Sequence, residues 1–130
     1  MPVLSPTAVK RILIVDDNPV VRYVLHSLME AKTGFEVCGE AASGLDAIQQ
    51  AKELRPDIVV LDLRMPDMNG LQTAPVIKRA LPSVVILLFT MFAAEISETV
   101  RTAANIDLVL RKPDGLDSLL NSIQDLIQSN

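Results

Sequence analysis

Five short apolar runs alternate along the chain with longer segments in which apolar residues return at helical spacing. The runs are rich in β-branched residues and leucine, and four are almost continuously apolar, as strands buried on both faces must be. Five strands are therefore predicted, at Arg11 to Val15, Phe35 to Ala42, Ile58 to Leu61, Val84 to Phe89 and Leu108 to Leu110.

Helix-length segments separate these strands, and their ends carry helix signals. Asn18 can cap the first helix, and Asn105 suits the left-handed residue that ends the fourth, predicted over residues 93–104. Pro75 lies inside the third helix, which runs to about Leu81, and its missing backbone donor is expected to kink or shorten that helix. The five helices are predicted to begin at Pro19, at Ser43 or Gly44, at Gly70, at Ala93 and near Asp114.

This alternation of strand and helix predicts an α/β fold with a five-stranded parallel sheet and helices on both faces. In such sheets, binding sites lie beyond the carboxyl ends of the strands, near the point where strand order reverses. Polar residues follow four of the five predicted strands at that edge, and one pocket is expected to gather them: Asp16, Asp17, Asp62, Thr90, Arg111 and Lys112.

Composition limits the classes of function. The chain has 130 residues, enough for one domain, with residues 1–10 expected as a flexible lead and residues 11–130 as the folded unit. No apolar run approaches the ~20 residues of a membrane span and no secretory signal is evident, so cytoplasmic residence is expected. The net charge of -4, with 12 scattered basic residues and no Trp, argues against nucleic-acid binding by this segment.

Cysteine and histidine occur once each. Cys38 cannot form an internal disulfide and lies in an apolar segment, where a small buried thiol is the more common role. His26 falls off the apolar face of the first helix and has no adjacent acidic residue or second histidine. We therefore expect an exposed helix residue rather than a metal ligand or a phosphohistidine.

The carboxylates at the predicted sheet edge indicate a divalent-cation site. Clustered carboxylates repel one another and need a cation, and oxygen ligands with open water positions suit Mg²⁺. In this interpretation two carboxylates bind the metal and one acts as the nucleophile. Lys112 and Thr90 would then contact a phosphoryl group. Taken singly, each residue has a plainer role: Asp16 and Asp17 as helix caps, Lys112-Pro113 as a turn, and Thr90 as an ordinary strand residue.

Four motifs together resemble the receiver domain of bacterial two-component response regulators, in order and at suitable spacing. They are Val15-Asp16-Asp17-Asn18, the segment Leu61 to Gly70, Thr90, and Lys112-Pro113. The resemblance spans nearly the whole chain and implies a flavodoxin-like (βα)5 fold. It also implies a partner histidine kinase, which would transfer its phosphoryl group to Asp62.

The resemblance further implies roles at the site. Phosphorylation would switch the surface of the fourth helix, fifth strand and fifth helix toward an output domain or partner protein. Mg²⁺ would be bound directly by Asp17, Asp62 and the Arg64 backbone carbonyl and through water by Asp16, while Thr90 and Lys112 would contact the phosphoryl group and Pro113 would follow a cis peptide bond.

Segment Gly34 to Ile48 is most similar to receivers of the LuxR/NarL-type branch, which carry a C-terminal helix-turn-helix DNA-binding domain. No output domain is expected in this chain. Two positions depart from the family pattern: Val109 replaces the usual aromatic switch residue, and Met91 replaces a small residue. Valine has one stiff torsion and no ring to relocate. We therefore expect Phe92 and Met91 to form part of the output surface.

A receiver is not expected to be an enzyme beyond self-catalysed phosphotransfer and autodephosphorylation. One alternative is a phosphorylation-independent interaction module, which Val109 and Met91 keep open. Another is a Mg²⁺-dependent phosphatase, although Asp16 and Asp17 are adjacent rather than an Asp-x-Asp pair. A homodimer through the fourth and fifth helices is also left open.

Overall fold

A computed structural model describes residues 9–112 and 116–128 of the chain. Its strands form one parallel sheet in the order β2-β1-β3-β4-β5. This is the flavodoxin-like order, with the reversal between β1 and β3, and it confirms the predicted fold class. The strands are β1 Lys10–Val15, β2 Phe35–Ala41, β3 Ile58–Leu61, β4 Val85–Thr90 and β5 Leu108–Arg111.

Helices cover both faces of the sheet, because alternate strand residues point to opposite sides. Leu13 packs on one side in a buried cluster with residues of α2 and α3. Ile12 packs on the other side in a buried cluster with residues of α1 and α5. In the described part of the chain the α-helices are α1 Pro19–Glu30, α2 Gly44–Leu54, α3 Gly70–Ala80, α4 Glu98–Ala103 and α5 Leu116–Gln128.

The third helix runs through Pro75 without interruption, so the shortening expected there is wrong. A capping box fixes its first turn: the Asn69 side chain accepts from the Gln72 N–H, and the Gln72 side chain accepts from the Asn69 N–H, both at 2.9 Å. Farther along, Ala74 and Ile77 are fully buried against the sheet. Capping and burial therefore outweigh the one backbone bond that proline removes.

The fourth helix is shorter than predicted. A 3₁₀ turn occupies Ala93–Glu95, and α4 begins only at Glu98. Ser97 separates the two because it is extended and its hydroxyl oxygen accepts the Val100 N–H at 3.2 Å, as an N-cap does. Asn105 follows α4 with a φ of 61°, the left-handed conformation that the sequence predicted.

Strand β2 contains an irregularity at the cysteine. Its register with β1 shifts between Ile12 and Leu13, whose partners are Val37 and Gly39, so Cys38 is the extra residue. The thiol is half-buried, and burial raises its pKa. A thiol that resists ionisation is a weak nucleophile, as expected of a structural cysteine.

Over the described residues, every helix is too short or too polar to cross a bilayer.

Candidate functional site

Three carboxylates meet at the carboxyl ends of two neighbouring strands. Asp16 and Asp17 follow β1, and Asp62 follows β3. The backbone N–H of Asp62 donates to the Val15 carbonyl at 2.9 Å. One oxygen from each carboxylate lies within 4.8 Å of the others. Asp16 and Asp62 are buried, whereas Asp17 is exposed. The parallel pairing of β1 with β3 therefore gathers the three predicted acidic residues into one cluster, open to solvent at Asp17.

A single lysine reaches this cluster from the end of β5. Lys112 Nζ lies 2.7 Å from Asp16 Oδ2 and 3.4 Å from Asp62 Oδ2. The other Asp16 oxygen accepts the Asn18 N–H at 2.9 Å, so Asp16 also helps to form the turn into α1. One ammonium between two buried carboxylates offsets only part of their charge.

Burial raises the pKa of Asp62, and the neighbouring Asp16 carboxylate raises it further. Lys112 and the Leu63 N–H, which donates to Asp62 Oδ1 at 2.8 Å, oppose that shift. The ionised cluster is thus short of positive charge. Three hard carboxylate oxygens that converge in this way, one of them exposed, fit a small divalent cation that keeps several waters, as Mg²⁺ does.

Thr90 ends β4 and is fully buried. Thr90 lies between the other site residues. On one side β4 pairs with β3, the strand that Asp62 follows. On the other side Thr90 is opposite Arg111, the neighbour of Lys112. The Thr90 hydroxyl oxygen accepts the Phe92 N–H at 3.1 Å. A hydroxyl that accepts one bond can still donate its own proton.

The loop after Asp62 depends on a glycine at its end. A Cβ on Gly70 would lie 2.6 Å from the Asp62 backbone oxygen, closer than real Cβ contacts allow. The Gly70 N–H also donates to the Leu63 carbonyl at 2.7 Å. Gly70 therefore allows α3 to begin directly against the main chain of Asp62.

Asp67, in the same loop, has a role that the sequence analysis missed. Its carboxylate accepts the Gly44 N–H at 2.9 Å and the Leu45 N–H at 2.8 Å, at the start of α2. These bonds lower the pKa of Asp67, the Leu45 N–H contributing most. The only sequence signal was an acidic residue in the loop after β3. Its partners lie 23 and 22 residues earlier in the chain.

The predicted switch residues surround the site without forming one cluster. The Arg64 guanidinium lies 4.0 Å from the centre of the Phe92 ring, which links the loops after β3 and β4. Met91 is 67% exposed. Val109 is half-buried and lines a groove between β5 and the segment around α4. Pro113 lies outside the described residues, and so does the predicted cis peptide.

His26 is not the isolated exposed residue that was expected. Its Nδ1 lies 2.7 Å from Glu40 Oε2, and its Nε2 lies 3.2 Å from Glu30 Oε1. Glu30 is four residues along α1 and therefore on the same helix face, a signal that the sequence contained. Glu40 comes from β2, and only the fold brings it to the ring.

Comparison with known proteins identifies the family. The response regulator receiver domain family matches residues 12–124. Response regulator protein VraR of Staphylococcus aureus is 32% identical over 114 residues, which cover 88% of this chain and 54% of VraR. The chain thus spans about half the length of the curated relatives it matches.

Solved structures agree with this match. A LuxR-family two-component response regulator from Aurantimonas sp. SI85-9A1 is 30% identical with a TM-score of 0.85, covering 95% of this chain and 88% of that one. A CheY-like receiver domain protein from Methanospirillum hungatei JF-1 shares the fold, with a TM-score of 0.83 at 22% identity and coverages of 94% and 96%. The chain belongs to the response regulator receiver domain family of two-component systems, and its relatives include LuxR-type regulators, as the segment Gly34 to Ile48 predicted.

Proposed function

We propose that this receiver accepts a phosphoryl group on Asp62 in a Mg²⁺-dependent reaction. One observation carries the proposal: the buried Asp62 carboxylate shares a 4.8 Å cluster with Asp16 and Asp17 and lies 3.4 Å from Lys112 Nζ. A buried carboxylate is poorly solvated and therefore a better nucleophile than one in water. The exposed Asp17 marks the side from which a donor could approach.

The metal would be bound directly by Asp17, Asp62 and the Arg64 backbone carbonyl and through water by Asp16, as the family implies. When bound, Mg²⁺ would offset negative charge on the phosphoryl oxygens. The cluster's deficit of positive charge supports this assignment, since burial and Asp16 both disfavour ionised Asp62.

In the proposed step, an Asp62 carboxylate oxygen attacks phosphorus, and the new O–P bond forms as the bond between phosphorus and the donor's histidine nitrogen breaks. That nitrogen keeps the electron pair. Lys112 and Thr90 would contact the phosphoryl oxygens, Lys112 through its ammonium and Thr90 through the hydroxyl proton. The product remains on Asp62, so the chain acts as a phosphoryl acceptor rather than as an enzyme that releases product.

A cytoplasmic sensor histidine kinase is the proposed donor. An exposed apolar strip on α1 lies beside the site: Val20 is 67% exposed and Tyr23 is 72% exposed. Beside it is a groove of about 230 Å³, which reaches the site at Lys112 and is lined by Val20, Val21, Val24, Leu25, Phe89 and Lys112. An apolar rim next to a buried acceptor suits a protein donor better than a small charged one.

The proposed output surface includes Phe92 and Met91 together with α4, β5 and α5. Phe92 supports this because its N–H is bonded to the Thr90 hydroxyl, so a movement of Thr90 toward a phosphoryl group would pass to Phe92. Val109 lines the groove where the family's aromatic residue would stand. Unchanged partner binding by Phe92→Ala would count against this part of the proposal. The candidate binding partners of this surface are an output domain, a partner protein and a second copy of the chain.

Intact mass after incubation with acetyl phosphate tests the central proposal. We expect one added phosphoryl group that requires Mg²⁺ and is lost in Asp62→Asn. Asp67→Asn is the matched control, because it makes the same change in the same loop and should still be modified. An adduct that persists in Asp62→Asn would refute the assignment. Pulsed samples with no adduct would favour the phosphorylation-independent module.

A further inference from the structure

Behind the acidic site, helix α1 carries an arginine that reaches back to the main chain of Asp16. Arg22 Nη1 donates to the Asp16 carbonyl oxygen at 2.6 Å. The Asp16 N–H donates to the Ala41 carbonyl at 3.0 Å, and its carboxylate is held by Asn18 and Lys112. The bonded carbonyl belongs to the peptide that joins Asp16 to Asp17. Arg22 therefore fixes the segment from which two of the three acidic side chains project.

Arg22 is itself held by a second layer of charges. Its Nε donates to Glu40 Oε1 at 3.2 Å, and the other Glu40 oxygen lies 2.7 Å from His26 Nδ1. His26 Nε2 lies 3.2 Å from Glu30 Oε1. The charged groups that face the imidazole are thus Glu40 from β2 and Glu30 from its own helix, with Arg22 next in line on α1.

His26 contacts two carboxylates at once. A carboxylate can only accept hydrogen bonds, so both ring nitrogens must carry a proton if both contacts are to be satisfied. That species is the imidazolium. With it, two cations alternate with two carboxylates from Arg22 to Glu30.

We propose that Arg22 is a positioning residue for the Asp16-Asp17 peptide, and that Glu40, itself held by His26, keeps Arg22 in place, so that this relay supports divalent-cation binding at the acidic site. This inference rests on the proposed Mg²⁺ site. Residues that orient metal ligands from behind influence affinity although they do not touch the ion.

The sign of the effect separates positioning from simple electrostatics. Arg22→Gln removes a positive charge close to the acidic cluster, and by charge alone it would strengthen the binding of a cation. If Arg22 positions the ligands, the same variant binds the cation more weakly. The two explanations therefore predict opposite changes in the Mg²⁺ dissociation constant.

Calorimetric titration of the full chain with MgCl₂ makes this measurement directly. We expect Arg22→Gln to bind Mg²⁺ about 10-fold more weakly than the wild type. Arg11→Gln is the matched control: Arg11 also bonds a glutamate of β2, Glu36, and a backbone carbonyl, that of Leu54, but at the opposite end of the sheet. Its Mg²⁺ affinity should not change. Equal or tighter binding by Arg22→Gln would overturn the positioning role.

The same calorimetric titration of His26→Gln tests the outer part of the relay. This variant removes the ring that contacts both Glu40 and Glu30. We expect it to bind Mg²⁺ more weakly than the wild type, because Glu40 then loses a partner that helps to hold it beside Arg22. Unchanged affinity in His26→Gln would overturn its role, and no Mg²⁺ binding by the wild type would overturn the metal site itself.

Discussion

Asp62 and Asp67 lie in one loop, but their surroundings shift their pKa values in opposite directions. Asp62 is buried beside Asp16, and burial is the main reason that its pKa is raised. Asp67 is exposed and accepts backbone N–H groups at the start of α2, which lowers its pKa. The first carboxylate is costly to ionise and is the proposed phosphoryl acceptor. The second is stabilised as an anion and anchors the loop that carries the first.

The two pKa shifts have opposite consequences for stability. A raised pKa means that folded Asp62 holds its proton more tightly than the unfolded chain does, so its ionisation lowers the free energy of unfolding as the pH rises. A lowered pKa means that Asp67 contributes stability above its unfolded pKa, and this contribution is lost as the pH falls through its folded pKa. The loop thus combines a proposed phosphoryl acceptor whose ionisation destabilises the fold with a carboxylate whose ionisation stabilises it.

Removing the Lys112 ammonium beside Asp62 should give the largest effect on the contrast between Asp62 and Asp67. Lys112→Met leaves two buried carboxylates facing each other, and we expect the free energy of unfolding to fall by about 2 kcal/mol in EDTA. Mg²⁺ should restore more stability to this variant than it adds to the wild type. The measurement is urea unfolding with EDTA and with MgCl₂.

Lys78→Met is the control for that experiment. Lys78 Nζ is 2.7 Å from Asp107 and 21% exposed, against 19% for Lys112, but it lies at the other end of the sheet. Its loss should also destabilise the fold, but Mg²⁺ should stabilise this variant only as much as it stabilises the wild type, because the acidic cluster and Lys112 are unchanged. Equal Mg²⁺ responses of the two variants would contradict a metal site at Asp62.

A methyl group at Gly70 should break the arrangement around Asp62 and leave the Asp67 anchor in place. The added carbon of Gly70→Ala would press on the Asp62 backbone oxygen, so we expect urea unfolding to show a loss of about 2 kcal/mol. Phosphoryl addition from acetyl phosphate should also slow, because the carboxylate moves with its main chain. Wild-type stability in this variant would mean that the loop relaxes freely.

The opposite pH dependences can be measured with one pair of variants. Asp62→Asn should raise the free energy of unfolding at neutral pH, and this gain should shrink on acidification as wild-type Asp62 becomes protonated. Asp67→Asn should lower stability at neutral pH, and its deficit should likewise shrink in acid. Urea unfolding from pH 4 to pH 8 follows both. Shifts of the same sign at pH 7 would remove the contrast.

The smallest expected effect concerns the contact that joins the two loops around the site. A double-mutant cycle of Arg64→Met and Phe92→Ala should give a coupling energy of about 0.5 to 1 kcal/mol, the usual value for an exposed cation–π pair. Urea unfolding of the four proteins supplies it. Zero coupling would show that the ring and the guanidinium act independently.

Much of the fold was predictable because its signals are local. The continuous apolar runs gave the five strands, and the cap at Asn18 gave the start of α1, since a buried parallel strand and a helix end each need particular residues nearby. The acidic cluster was predictable for a related reason: parallel strands bring their carboxyl ends to one edge, so Asp16, Asp17 and Asp62 must meet once the strand order is known.

The missed features depend on competition or on distant contacts. Ser97 could continue a helix or cap one, and its capping bond divides the segment predicted as one helix. Asp67 and Glu40 act through partners on other elements, Asp67 at the start of α2 and Glu40 at Arg22 and His26 on α1. Nothing in the neighbouring sequence identifies those partners, because only the packed fold brings them together.

The short α4 is expected to open locally more often than the rest of the fold. Five of its six side chains are exposed and Arg101 is half-buried. Arg101 bonds the Ile106 carbonyl at 2.7 Å, so much of the attachment passes through one side chain. A helix of this length is not stable by itself. Its amide protons should exchange with solvent far sooner than those of β1 or β3, and a binding partner could reshape it at little energetic cost.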